Sequence, residues 1–326
     1  LQFADAVADG IPGPIAQLRQ ELPGIIDRKD HPSGCRKHIC QLGCDLDDIL
    51  LCLARDKFGI IAIVELHQDK IRLQLDAFHG NGACLKIGHQ FRIFCLLRER
   101  KRSDQQEEAG QAVAEALGEA AIFRRCDVTR EEDVAALVDA AVEHFGQLDV
   151  MYNNAGIVGA VGPISTTPAE EWQLTLDIHL NGSFDGCKHA ARVMMPRQTG
   201  SIINMASTAG LLGGQGPHAY AVAKHGLVGL TKNVAAELCR YGIRVNCIAP
   251  AGMATAMVAG LAGDPEAIEA TKARLAKTSP LKGRPGMAED VANAALWLAS
   301  DESGYTNGLT LTTDAGVTTG SSANPP

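Results

Sequence analysis

The hydrophobic pattern along this chain changes character near residue 107. Beyond that point amphipathic stretches at helical spacing alternate with short apolar runs, the pattern of βαβ units around a parallel sheet. Val134, Leu137, Val138, Ala141, Val142 and Phe145 recur at helical spacing and predict a helix of about 15 residues, opened by a capping box from Thr129 to Glu132. Leu148 to Tyr152 is a short apolar strand running into Asn153-Asn154-Ala155-Gly156, a turn-forming cluster. Thr167-Pro168-Ala169-Glu170 supplies an N-cap, a proline at the first helical position and a second capping box. Ser201–Met205 and Ile243–Ile248 have the composition of buried strands, separated by a long helix through Tyr220 to Arg240. A helix from Ala288, a strand near Gly308 to Thr312 and a frayed tail, Ser321–Pro326, complete the series.

The first hundred residues follow no such rule. Gly59–Leu66 and Lys70–Phe78 suit strands, but prolines at 12, 14, 23 and 32 and scattered Cys and His leave no long capped helix. The expected fold class is therefore α/β: a doubly wound parallel sheet, Rossmann-like, in three layers α/β/α, with its first βαβ unit absent or atypical. The expected division is an atypical segment 1–103, a main domain 104–318 and a flexible tail 319–326.

Composition narrows the partners. At 326 residues and 46% hydrophobic the chain can bury a sizeable core. A net charge of -8 and a pI near 5.7 give no general attraction to nucleic acid or anionic lipid, and the one dense basic run, Arg98 to Arg102, is short. No apolar stretch approaches the roughly 20 residues that span a bilayer. Acidic Asp5 and Asp9 replace the basic start of a secretory signal. A soluble cytoplasmic protein with a small-molecule substrate is expected. The chain has ten cysteines, diluted by length and without a signal peptide, so reduced thiols are expected. His31, Cys35, His38, Cys40, Cys44 and Cys52 cluster, but their spacing lacks the paired knuckles of common zinc modules, and the expectation is incidental thiols and no metal.

Tyr220 and Lys224 lie four residues apart on a predicted helix and so project from one face. Alone, such a pair is better explained by a solvated helix face. Ser207 follows the apolar strand ending at Met205, Asn181 lies beside Gly182 in the preceding helix, and the Asn153 to Gly156 turn ends another strand. These polar groups converge where open α/β sheets bind ligands.

In order and spacing, Asp127-Val128, Asn153-Asn154-Ala155-Gly156, Asn181, Ser207, Tyr220-Ala-Val-Ala-Lys224 and Asn246-Cys-Ile-Ala-Pro250 resemble the classical short-chain dehydrogenase/reductase family, over residues 104–318. The resemblance implies an oxidoreductase that moves a hydride between a nicotinamide cofactor and a secondary alcohol or ketone. Tyr220 would be the general acid/base, Lys224 would favour its phenolate and hydrogen-bond the nicotinamide ribose, and Ser207 would hold the substrate oxygen. Asn181 would anchor a water behind Lys224. A phenol with a pKa of about 10 needs such a neighbouring charge to work near neutrality. On the cofactor side the resemblance assigns Asp127 and Val128 to the adenine, Asn154, Ala155 and Gly156 to the adenosine side, and Pro250, Gly252 and Thr255 to the nicotinamide loop. Asp104 aligns with the acid that binds ribose hydroxyls in NAD-preferring members, which points to NAD, with NADP left open by Arg100 to Arg102. A homo-oligomer, tetramer or dimer, is implied as well.

Two departures stand out. Pro250 is followed by Ala251 before Gly252, and if residue 251 needs a positive φ an alanine there is costly. The pyrophosphate loop is the second: the family's interval lands on His79-Gly80-Asn81-Gly82-Ala83-Cys84-Leu85-Lys86, where Cys84 and Lys86 stand in place of glycines. Charged Arg98 to Arg102 also falls where a second strand belongs. These features suggest that residues 1–103 are a mistranslated or wrongly joined segment, and they open an alternative function, a catalytically silent binding or scaffold protein. Beyond Pro250, Ala254 to Pro285 is a small-residue-rich insertion where a lid is built, and Met253, Met257, Val258 and Leu261 suggest an apolar pocket. Cyclic alcohols, sterols and plant-type secondary metabolites form the implied substrate class.

Overall fold

A computed structural model describes residues 59–61, 92–95, 110–112, 114–115, 121–264 and 267–320. These lie in one compact unit, Leu51–Pro326. Its frame is a seven-stranded sheet, every pairing parallel. The strands are β1 (Gly59–Ile61), β2 (Arg92–Cys95), β3 (Ala121–Phe123), β4 (Val150–Asn153), β5 (Gly200–Met205), β6 (Ile243–Pro250) and β7 (Thr310–Thr313). Their order in the sheet is β3-β2-β1-β4-β5-β6-β7, a doubly wound arrangement that reverses direction between β1 and β4.

The places beside β4 that were expected to lack a first βαβ unit are thus taken by short strands from Gly59 and Arg92. The sheet begins well before residue 104. The second strand lies upstream of the charged Arg98 to Arg102 run, so that run does not interrupt it. The Lys70–Phe78 strand, the loop at His79–Lys86, the His31 to Cys52 cluster and the Ser321–Pro326 tail lie outside the described residues.

Helices cover both faces: α1 (Glu131–Phe145), α2 (Ala169–Leu176), α3 (Gly182–Met194), α4 (His218–Leu238), α5 (Ala256–Gly260), α6 (Ile268–Thr278) and α7 (Ala288–Ala299). In α1 the buried residues are Val134, Leu137, Val138 and Ala141, the predicted stripe. Three acids, Glu131, Glu132 and Asp133, favour its N-terminus, and Gly146 at φ 85° ends it in the left-handed region. Neither expected capping box forms. Thr129 Oγ1 donates to Asp127 Oδ1 at 2.7 Å, and Thr167 Oγ1 donates to the Pro163 carbonyl at 3.0 Å. Pro168 accordingly sits at the N-cap of α2 rather than inside it.

Alternation along the strands divides the core in two. Met151, Ile202 and Val245 pack with α1, α3 and α4 on one face, while their neighbours Val150 and Ile203, with Ile248, pack against Leu298 of α7 on the other. A polar seam crosses the middle. Asn153 Nδ2 donates to Asn204 Oδ1 at 2.8 Å, and Asn204 Nδ2 donates to Thr231 Oγ1 at 2.9 Å, all three buried. The seam ties β4 to β5 and β5 to α4, and so fixes the helix that carries Tyr220 relative to the strand ends. Asn246 pins β7 to β6 in the same way, donating to the Thr306 carbonyl at 3.0 Å and accepting from Leu309 N at 2.9 Å.

Candidate active site

Three strands deliver their C-terminal ends to one place: β4 into Asn153-Asn154-Ala155-Gly156, β5 into Ser207, and β6 into Pro250. Ser207 is extended and caps the short turn Thr208–Gly210, its Oγ accepting from Ala209 N at 3.2 Å. The same hydroxyl lies 3.4 Å from the Pro250 carbonyl, so it bridges the ends of β5 and β6. Half-buried Tyr220 and buried Lys224 rise from the first turns of α4. Lys224 Nζ donates to the Met205 carbonyl at 2.6 Å and lies 5.3 Å from the centre of the Tyr220 ring. The structure therefore brings Ser207, Tyr220 and Lys224 together, a hydroxyl, a phenol and a buried ammonium at the mouth of the sheet.

Close approach holds this arrangement. A Cβ at Gly210 would stand 2.5 Å from the Lys224 carbonyl oxygen and 2.7 Å from its carbon. Backbone of a long helix cannot yield cheaply, so Gly210→Ala should push the 207–210 turn away from α4. The expected cost is about 1–3 kcal/mol of stability together with a fall in turnover as Ser207 leaves Tyr220. Thermal melting and turnover of the variant check this, and wild-type values for both would contradict it.

Asn181 does not join the cluster. It is exposed, and its Nδ2 donates to Asp177 Oδ1 at 2.7 Å on the outside of the helix. The cause is a single π turn, Asp177–Asn181, between α2 and α3, which shifts the helical phase by widening one turn. That turn points His179 inward instead. His179 is 1% exposed and meets the Tyr220 ring edge to face, centroids 5.2 Å apart at 87°. Sequence reasoning missed it because a histidine between Ile178 and Leu180 reads equally well as packing, and no periodicity reports a π turn.

The group implied by the resemblance is a nicotinamide dinucleotide. The donor set suits its nicotinamide end: the phenol, the ammonium and the hydroxyl of Thr255, at the N-cap of α5, are groups that bind ribose hydroxyls and a carboxamide. Ala251 and Gly252 lack a positive φ, so the expected strain at 251 does not arise. Ala251 N instead approaches the Thr313 carbonyl at 3.3 Å, and a Cβ at Gly252 would touch Leu275 at 3.3 Å. At the other end Asp127 is half-buried, its Oδ1 accepting from Thr129 N at 3.1 Å, and Val128 is buried beneath Gly182, where a Cβ would lie 2.8 Å from the Val128 carbonyl. Asn154 and Ala155 are half-buried beside them. Asp104 lies outside the described residues.

Next to the turn after β6, at Ala251 to Met253, is a cavity of about 580 Å³. Met253, Leu275 and Leu281 line it together with Thr278, Arg284 and Asp314. Its wall is mixed rather than apolar, and of the four expected residues only Met253 contributes: Met257 and Val258 are half-buried elsewhere and Leu261 is exposed. Among the described residues no group of three or more His, Cys, Asp or Glu is placed to hold a metal, and no helix is long and apolar enough to cross a membrane. Cys126, Cys187, Cys239 and Cys247 are free thiols, and burial pushes Cys187 up to about 12, which leaves it inert.

A family model described as enoyl-(acyl carrier protein) reductase matches residues 99–318. The (21S)-21-acetoxyl-apo-melianone synthase SDR of Melia azedarach is 44% identical over 241 residues, covering 73% of this chain and 82% of that one. The (+)-borneol dehydrogenase 2 of Salvia officinalis is 44% identical over 223 residues, covering 66% and 79%. Among solved structures, that of levodione reductase superposes with a TM-score of 0.63 at 33% identity, covering 71% of this chain and 90% of that one.

Proposed function

The chain belongs to the short-chain dehydrogenase/reductase family, and from that premise we propose that it interconverts a cyclic secondary alcohol and its ketone, using NAD in preference to NADP. The observation that carries the reading is the buried Lys224 ammonium 5.3 Å from the Tyr220 ring, with Ser207 on the adjoining strand end. A positive charge at that range stabilises a phenolate, the form of Tyr220 able to take a proton from an alcohol. Ser207 Oγ holds the substrate oxygen beside the phenol. During oxidation the hydroxyl proton of the substrate passes to Tyr220, and in reduction Tyr220 returns it to the carbonyl oxygen. The nicotinamide, when bound, accepts or donates the hydride. Lys224 serves twice, as counter-charge to the phenolate and as donor to the ribose. Its bond to the Met205 carbonyl keeps the ammonium in place.

Thr255 and the Pro250 to Gly252 turn hold the carboxamide side, and Asn154, Ala155, Gly156, Asp127 and Val128 the adenosine side. The preference for NAD rests on Asp104. The mixed wall near Met253 and Leu275 favours a substrate with an apolar ring system and a second polar group. Exposed Phe184 on α3 and Val222 on α4, each about half accessible, support assembly into a dimer or tetramer through those helices. A cytoplasmic location is part of the same reading.

The test is turnover of the purified full chain against cyclic secondary alcohols, borneol among them, with NAD and with NADP. Reduction of NAD at the higher kcat/KM supports the reading; a preference for NADP would overturn the coenzyme assignment, and no oxidation across the panel would overturn the substrate class.

A further inference from the structure

His179 is a buried titratable group to which the mechanism above gives no task. Its ring lies under Tyr220, and two backbone groups of one residue face its Nε2: the Ile157 carbonyl at 2.7 Å and the Ile157 amide at 3.1 Å. One nitrogen of a neutral imidazole cannot donate and accept together. The shorter contact is to the carbonyl, so Nε2 carries the proton and Nδ1 keeps a lone pair. Nδ1 is fully buried and has no hydrogen-bond partner among the described residues. Burial first, and the Lys224 charge second, hold the ring's pKa well below the ordinary histidine range.

The surroundings are built to admit this ring. A Cβ at Gly156 would lie 2.6 Å from its Cε1, so only a glycine there leaves room. The π turn aims the side chain inward, and the His179 carbonyl accepts from Ser183 Oγ at 2.7 Å. Leaving a buried nitrogen unpaired costs free energy, and packing alone would be served better by an apolar side chain of the same shape.

We infer that His179 is a positioning residue: its Nε2–H clamps the turn after β4, at Ile157, against the ring of Tyr220 and so sets the plane of the phenol for proton exchange. The inference rests on the reading of Tyr220 as the general acid/base. His179 touches no reacting atom and passes no proton. Its neutral state is part of the design, because an imidazolium would place a second cation beside Lys224.

Two substitutions separate the ring from the clamp. His179→Phe keeps a flat ring and loses the donor, whereas His179→Gln places an amide nitrogen near the position of Nε2 and keeps the clamp. With the fastest alcohol of the panel, His179→Phe is expected to lose roughly 10²-fold in kcat with coenzyme KM unchanged, and His179→Gln to recover to within about tenfold of wild type. Wild-type kcat in the Phe variant, or equal loss in both variants at wild-type melting temperature, overturns the clamp. Nitrogen-15 NMR of the histidine-labelled full chain, with His179→Gln to assign the resonance, needs no substrate. A neutral ring protonated at Nε2 at pH 7 is expected, and protonation at Nδ1 or at both nitrogens overturns the inference. If the wild-type chain turns over no alcohol, the proposed function fails while the NMR result still decides the tautomer.

Discussion

Tyr220→Phe is expected to lower kcat for alcohol oxidation by roughly 10²- to 10⁴-fold while coenzyme affinity stays within about twofold of wild type. Phenylalanine preserves the ring that His179 meets edge to face, and it removes only the oxygen that takes the proton. Stability should hardly change, because Tyr220 is half-buried and the ring that packs is kept. Stopped-flow and steady-state rates on one preparation, with a melting curve, check this. A variant that retained a tenth of the wild-type kcat would mean that another group carries the proton.

The second large effect concerns Lys224. Lys224 is 3% exposed, and its ammonium donates to the Met205 carbonyl at 2.6 Å. Taking an ammonium out of water is unfavourable for folding, and an apolar side chain of similar volume does not carry that desolvation cost. Lys224→Met is therefore expected to melt at or above the wild-type temperature while losing on the order of 10²-fold or more in kcat. The sign of the pH effect follows from the same charge. Without the cation the phenol keeps its proton to higher pH, so the rise of alcohol oxidation with pH should move upward in the variant. A collapse of stability with kcat intact would show the lysine to be structural.

The parts of this protein that were legible in its sequence are those where one physical signal acts alone. The stripe Val134, Leu137, Val138 and Ala141 faces the core as its spacing requires, and the apolar runs of β5 and β6 lie in the middle of the sheet where both faces are covered. Tyr220 and Lys224 share a face of α4 because four residues make about one turn. Where two signals competed, the sequence misled. Thr129 and Thr167 have the composition of caps, yet their hydroxyls satisfy nearer acceptors, Asp127 and the Pro163 carbonyl. Asn181 and His179 exchanged places because one widened helical turn rotates which residue faces inward, and that turn leaves no mark in hydrophobic spacing. Strands as short as Gly59–Ile61 and Arg92–Cys95 offer too few positions for a period to register.

The most direct test of the central claim, a nicotinamide-dependent oxidoreductase built on Tyr220 and Lys224, is binding of NADH and NADPH to the purified full chain, followed by nicotinamide fluorescence. Binding of NADH tighter than NADPH, kept in Tyr220→Phe and weakened in Lys224→Met, is the result predicted. Folded protein that binds neither dinucleotide would contradict the claim and favour a silent member of the family.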